Sequence, residues 1–226
     1  TFTIGSSTYA IVVSQQDDSV TIIDVSDPAN IVAVDTETDG LNSFEQLDGP
    51  FAVDTFTIGA STYAIVASIY DNGVQIIDVS NPASIAPAGA LFDTAFSVLQ
   101  EPKGVDTFTV DASTYAIVTS FADDGVQIID VSDPAYPSSA GSLTDDDFLT
   151  LAGASGVKTF TIGSSTYAIV AAVNDNGVQI IDVSDPANIV AVDRLEDLDE
   201  FDALSGAADV EIFTIGASTY AIVASI

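Results

Sequence analysis

Apolar positions in this chain come in short runs of alternating side chains, and the runs recur. "FAVDTFTI" (51–58), "TYAIVAS" (62–68) and "VQIIDVS" (74–80) are rich in Val, Ile, Thr and aromatics and are bounded by Gly, Asn and Asp. A fourth run is "NIVAVD" (30–35) of the preceding copy. None has the spacing of an amphipathic helix, so the four predict strands, here called A to D. Strand B is the informative one. Tyr63, Ile65 and Ala67 fall on one face and Ala64 and Val66 on the other, so both faces are apolar. A strand of that kind needs a packed layer against each side.

"TFTI" or "TFTV" begins at 1, 55, 107 and 159, with the variant "IFTI" at 212, giving spacings of 54, 52, 52 and 53 residues. Repetition at such a period marks stacked or ring-like units that cannot bury their own faces alone. Four-stranded sheets packed face to face around an axis meet that demand. The chain therefore predicts an all-β fold, a β-propeller of four-stranded antiparallel blades. The copies are 1–54, 55–106, 107–158 and 159–211, with half a fifth at 212–226, read as one propeller. The fifth copy has strands A and B only. Four blades could close with a hairpin left over, a longer chain could finish the ring, or a neighbouring molecule could pair with the open edge of strand B. The last two give residues 218–226 a strand partner from outside this sequence.

The turns agree with this division. Gly separates A from B in every copy but the third, where Asp111 replaces it, so the position calls for positive φ. "DNG" or "DDG" joins B to C at 71–73, 123–125 and 175–177, and the first copy's "DDS" predicts strain or a different turn at Ser19. "SDPA" or "SNPA" ends strand C. The Asp of "IIDVS" (Asp24, Asp78, Asp130, Asp182) reads as an acceptor for backbone N–H groups where that strand stops. "GVQIIDVSDPA" (177–187), after "STYAIVAAV" (165–173), resembles the LVIVD-repeat family of extracellular and surface-associated propellers. The blade text is also similar to that of WD-repeat propellers, without the Trp. The resemblance implies a propeller at a cell surface and carries no catalytic residue with it.

Charge changes the functional picture. The chain has 34 acidic residues, 3 basic ones and no His, for a net charge of −31. Such a surface repels phosphate backbones and anionic lipid, which excludes nucleic-acid binding. Its self-repulsion is screened in salt, which points to marine or otherwise saline surroundings. The longest apolar runs fall far short of the ~20 residues of a membrane helix, so no membrane insertion is expected. Without His or Cys, nucleophilic triads and ordinary zinc sites are excluded.

Strand direction places the B-to-C turns and the long acidic D-to-A segments (36–50, 91–104, 142–156, 194–209) on one end of the ring. Each segment reads as a loop pinned by its large apolars, such as Phe44 and Leu47, or Phe92, Phe96 and Leu99, with short helical turns allowed. Calcium is the cation that end would take, through Asp17, Asp18, Asp71, Asp123, Asp124 and Asp175, or those residues are simply turn formers. The remaining enzyme chemistry is a carboxylate pair acting on glycosides. The favoured expectation is a non-catalytic structural or adhesive module that binds protein, itself or surface glycans.

Overall fold

The computed structural model describes residues 1–95, 97–146, 148–197 and 203–226. Blade 1 comprises β1 (Phe2–Ile4), β2 (Ser7–Ser14), β3 (Ser19–Asp24) and β4 (Val32–Thr38). Blade 2 holds β5 (Pro50–Ile58), β6 (Ser61–Ser68), β7 (Gly73–Asp78) and β8 (Ala86–Phe92). Blade 3 holds β9 (Pro102–Val110), β10 (Ser113–Ser120), β11 (Gly125–Asp130) and β12 (Ser138–Thr144). Blade 4 holds β13 (Ala154–Ile162), β14 (Ser165–Ala172), β15 (Gly177–Asp182) and β16 (Val190–Glu196), and a half-blade follows with β17 (Ala207–Ile215) and β18 (Ser218–Ser225). Each sheet is an antiparallel meander in chain order. This is the β-propeller that the repeat predicts. Among the described residues there is no helix, so the described parts of the long loops hold none of the helical turns that the sequence allowed. None is therefore long and apolar enough to cross a membrane.

The core lies between blades rather than within them. Ala64 and Val66 pack with Ile22 and Val20 of blade 1, whereas Ile65 and Ala67 pack with Val105, Ala116 and Val118 of blade 3. All four of these strand-B residues are inaccessible to solvent. The same division holds for β10 and β14, whose alternate residues join the clusters on either side. The inner strands β5, β9, β13 and β17 touch one another in turn and so lie around the axis. Beside them, Asp54 Oδ2 accepts the Thr107 N–H at 2.8 Å and its hydroxyl at 2.6 Å, and Asp106 Oδ2 binds Thr159 in the same way. One carboxylate thus latches β5 to β9, and another latches β9 to β13.

The turns obey the backbone rather than the letters alone. Gly5, Gly59, Gly163, Gly216 and Asp111 all have positive φ, as expected of the A-to-B position. In the B-to-C turns the left-handed residue is Asn72, Asp124 or Asn176, not the glycine after it. At those glycines a Cβ would come close to a strand-D carbonyl, that of Leu91, Leu143 or Leu195. The first copy corrects the expectation for Ser19. Asp18 takes the positive φ, at 47°, and Ser14 still faces Ser19 as Ser68 faces Gly73. The turn is unchanged because the residue that bears the strained angle is Asp or Asn in every complete copy.

One leucine pins each D-to-A loop. Leu47, Leu99, Leu151 and Leu204 are buried, and Phe44 joins the first of them. Phe92 is 48% exposed and does not pin its loop, while Phe96 lies outside the described residues. A buried glutamine ties three of the loops to the sheet. Gln75, Gln127 and Gln179 accept the N–H of Glu45, Val98 and Thr150, and each donates to a strand-D carbonyl.

Candidate functional site

Loops and B-to-C turns share one end of the molecule, and the turn carboxylates reach into the loops. Asp18 accepts the Gly49 N–H at 3.0 Å, Asp71 that of Asp48 at 2.7 Å, and Asp123 that of Gln100 at 2.9 Å. Asp124 accepts from Gly153 at 2.7 Å and Asp175 from Ala152 at 2.8 Å. Asp17 instead accepts the Ser14 hydroxyl within its own turn. Asn72 and Asn176 perform the same duty toward Glu101 and Gly206. Five of the six residues offered as calcium ligands are therefore staples that satisfy loop N–H groups. Among the described residues, no three acids converge as ligands for an ion. Asp24, Asp78, Asp130 and Asp182 accept the N–H of the serine two residues on, as expected.

Gathering these staples has an electrostatic cost. Burial pushes the Asp71 carboxyl above the ordinary aspartate range; the Asp48 N–H offsets part of this, and the charges of Asp39, Asp48 and Asp18 add to it. Asp48 is raised by burial and by Asp18 and Asp39. At the junction of blades 3 and 4, burial raises Asp145, with Asp175, Asp124 and Asp146 adding to the shift against the Leu151 N–H.

Below this rim an axial cavity of about 720 Å³ is lined by all four inner strands from β5 to β17. Its walls mix Phe51, Phe121, Val173 and Ile226 with polar groups of a different character from the rim. Here stand both lysines of the chain. The Lys158 ammonium is 2.9 Å from Asp106 Oδ1. Burial works to lower it, but the hydrogen bond and charge of Asp106, with Asp54 and Glu211, hold it above the ordinary lysine range. Lys103 has no such partner. Among the described residues the ion pairs are Lys158 with Asp106 and Arg194 with Glu196, and the Lys103 ammonium rests instead 3.1 Å from the Phe121 ring centroid. Burial lowers its pKa, opposed by Glu101.

The sequence reading passed over this cavity, although a signal was present. "VDTFT" at 53–57 and 105–109 becomes "VKTFT" at 157–161 and "VEIFT" at 210–214, so one inner-strand position reads Asp, Asp, Lys, Glu around the axis. Two of three basic residues in so acidic a chain lie on that ring or near it.

The model of the LVIVD repeat matches residues 6–36, 61–91, 114–145 and 164–197, more than half of the chain. No curated protein matches it. Solved structures do. A protein from Lactobacillus plantarum is 13% identical over 83% of this chain and 54% of its own, with a TM-score of 0.61. The periplasmic gluconolactonase of Pseudomonas aeruginosa is 14% identical over 85% and 55%, with a TM-score of 0.60. An exo-beta-1,3-galactanase from Phanerochaete chrysosporium is 10% identical over 87% and 48%, with a TM-score of 0.57. The chain spans about half the length of these three structures, and at such identities the likeness is one of fold.

Proposed function

The chain belongs to the LVIVD-repeat family, and from that premise we propose that it is a non-catalytic propeller module of an extracellular or cell-surface assembly. It acts by packing against further blades of its own kind. The observation that carries this reading is the junction between blades, which covers strand B on both of its faces. The half-blade exposes Phe213 (41%), Tyr220 (46%) and Ile222 (61%), where blade 2 buries Phe56 and Ile65 and half-buries Tyr63. Blade 1 exposes Val12 (46%) and Ile31 (61%), where blade 2 buries Val66 and Ile85. One end thus bears the forward half of the internal junction and the other end the rear half. A further blade of the same repeat, set against either face, would rebuild it.

Net charge sets the conditions. At −31 the copies repel one another, so association needs screening, which saline surroundings supply. Divalent cations, calcium first, would quiet the same acidic loop face, and the raised Asp48, Asp71 and Asp145 are what such screening would relieve. Light scattering is the test. The expected result in about 1 M salt is a species larger than the 23.2-kDa chain, growing with concentration and lost in Ile222→Asp while the β-sheet circular dichroism persists. A 23.2-kDa monomer at every salt concentration, unchanged by that substitution, would sink the reading.

A carbohydrate-binding or glycoside-cleaving propeller is the second reading, favoured by the axial acids Asp54, Asp106 and Glu211. Cleavage fits them poorly. Asp54 is already held by Thr107, and Asp106 by Thr159 and Lys158, so neither is placed to trade protons with a substrate. Hydrolysis of a polysaccharide panel, abolished by Glu211→Gln, would reverse that preference.

A further inference from the structure

We infer that the axial cavity binds a uronic-acid residue, a sugar-sized ligand with one carboxylate, and that Lys103 is the partner of that carboxylate. This goes beyond the assembly reading and does not depend on it. About 720 Å³ lies within the range of small-molecule sites and accommodates a monosaccharide. The decisive feature is Lys103. A half-buried ammonium in no ion pair, with Glu101 acting on it only from a distance, is costly in a protein with so many carboxylates to spare, and a ligand carboxylate would complete it. Lys158, by contrast, is already neutralised by Asp106.

The rest of the lining selects hydroxyls and a ring face rather than a plain fatty acid. Asp209 Oδ1 and Glu211 Oε1 each accept a neighbouring backbone N–H, which leaves the second oxygen of each to accept a sugar hydroxyl. The same two carboxylates oppose a ligand carrying several negative charges, which limits the fit to one carboxylate per residue. Phe51 and Phe121 supply the apolar surface on which the C–H face of a pyranose rests.

Titration calorimetry with D-glucuronate, D-galacturonate and neutral D-glucose tests this on the whole chain. The expected result is binding of a uronate at least about tenfold tighter than glucose, reduced about tenfold or more in Lys103→Gln and largely kept in Lys103→Arg. Circular dichroism identical to wild type shows that each variant is folded. Trigalacturonate distinguishes the source: tighter binding than the monomer assigns the cavity to a glycan end, and equal binding assigns it to a free sugar acid. Glucose and glucuronate binding alike, Lys103→Gln binding like wild type, or no uronate binding at millimolar concentration would each overturn the inference.

Discussion

Residues 56–69 and 213–226 carry the same fourteen letters, "FTIGASTYAIVASI", and meet opposite surroundings. Local structure is the same in both. Gly59 and Gly216 turn at φ 63° and 65°, and the Phe56–Tyr63 and Phe213–Tyr220 rings each stack at 5.6 Å. Burial is not the same. Ile65 is fully covered by blade 3, while Ile222, at the same place in the text, is 61% exposed. The letters therefore specify a strand, a turn and an aromatic pair, and a neighbouring sheet supplies the burial.

The sharpest way to break that comparison is one substitution made twice. Ile65→Ala removes a core side chain and is expected to cost about 2–4 kcal/mol. Ile222→Ala is expected to stay within about 0.5 kcal/mol, as exposed substitutions do. Urea unfolding of both variants at low salt and low concentration, where the chain is monomeric, measures the pair. Equal costs would mean that the half-blade's outer face is covered in solution.

A second contrast sets the junction of blades 3 and 4 against that of blade 4 and the half-blade. The first has the Asp106 latch, with Thr159 and Lys158 both donating to a carboxylate that is mostly buried. The second has Ile212 where the latch needs Thr, and it relies on Ile169, Ala171 and Val210 packing. Asp106→Ala strands a half-buried ammonium, and the loss is expected to be about 2 kcal/mol, below the full cost of breaking a buried pair because Lys158 keeps some solvent. Glu211→Ala at the unlatched position should cost under about 0.5 kcal/mol. Thermal unfolding of the two variants decides whether the latch or the packing holds the inner strands.

What the residues disclosed follows the same division. Strand B, apolar on both faces, betrayed sheets on either side, and the fifty-odd-residue period betrayed a propeller. Leu47, Leu99, Leu151 and Leu204 were harder to read, since a loop's large apolars divide, Phe44 joining Leu47 in the core while Phe92 remains exposed. The glycines of the B-to-C turns were legible as turn residues but not as residues lying close to a strand-D carbonyl. The axial cavity was least legible. Its lining is drawn from short stretches of several blades, which no single repeat brings together. Only the Asp, Asp, Lys, Glu series hints at it.

The smallest contrast lies within the acidic end, between Asp71 and Asp24. Burial and three neighbouring carboxylates raise Asp71, whereas the hydroxyl and N–H of Ser26 lower Asp24. Their linkage to folding therefore has opposite sign. Where the folded value is raised, the native state takes up the proton first. Stability from Asp71 then grows as pH falls through the raised value and levels off near the ordinary aspartate value of about 4. Asp24 contributes stability above that ordinary value, which is lost as pH falls through its lowered one. As pH falls from neutral toward the ordinary aspartate value of about 4, the Asp71 effect sets in before the Asp24 effect, so mild acid should raise the melting temperature. Asp71→Asn keeps an oxygen for the Asp48 N–H and removes the charge. It should gain about 0.5 kcal/mol or less at neutral pH and flatten the rise in mild acid. A variant that melts lower at neutral pH with an unchanged slope would show that the carboxylate's hydrogen bond, rather than its crowding, governs this end of the molecule.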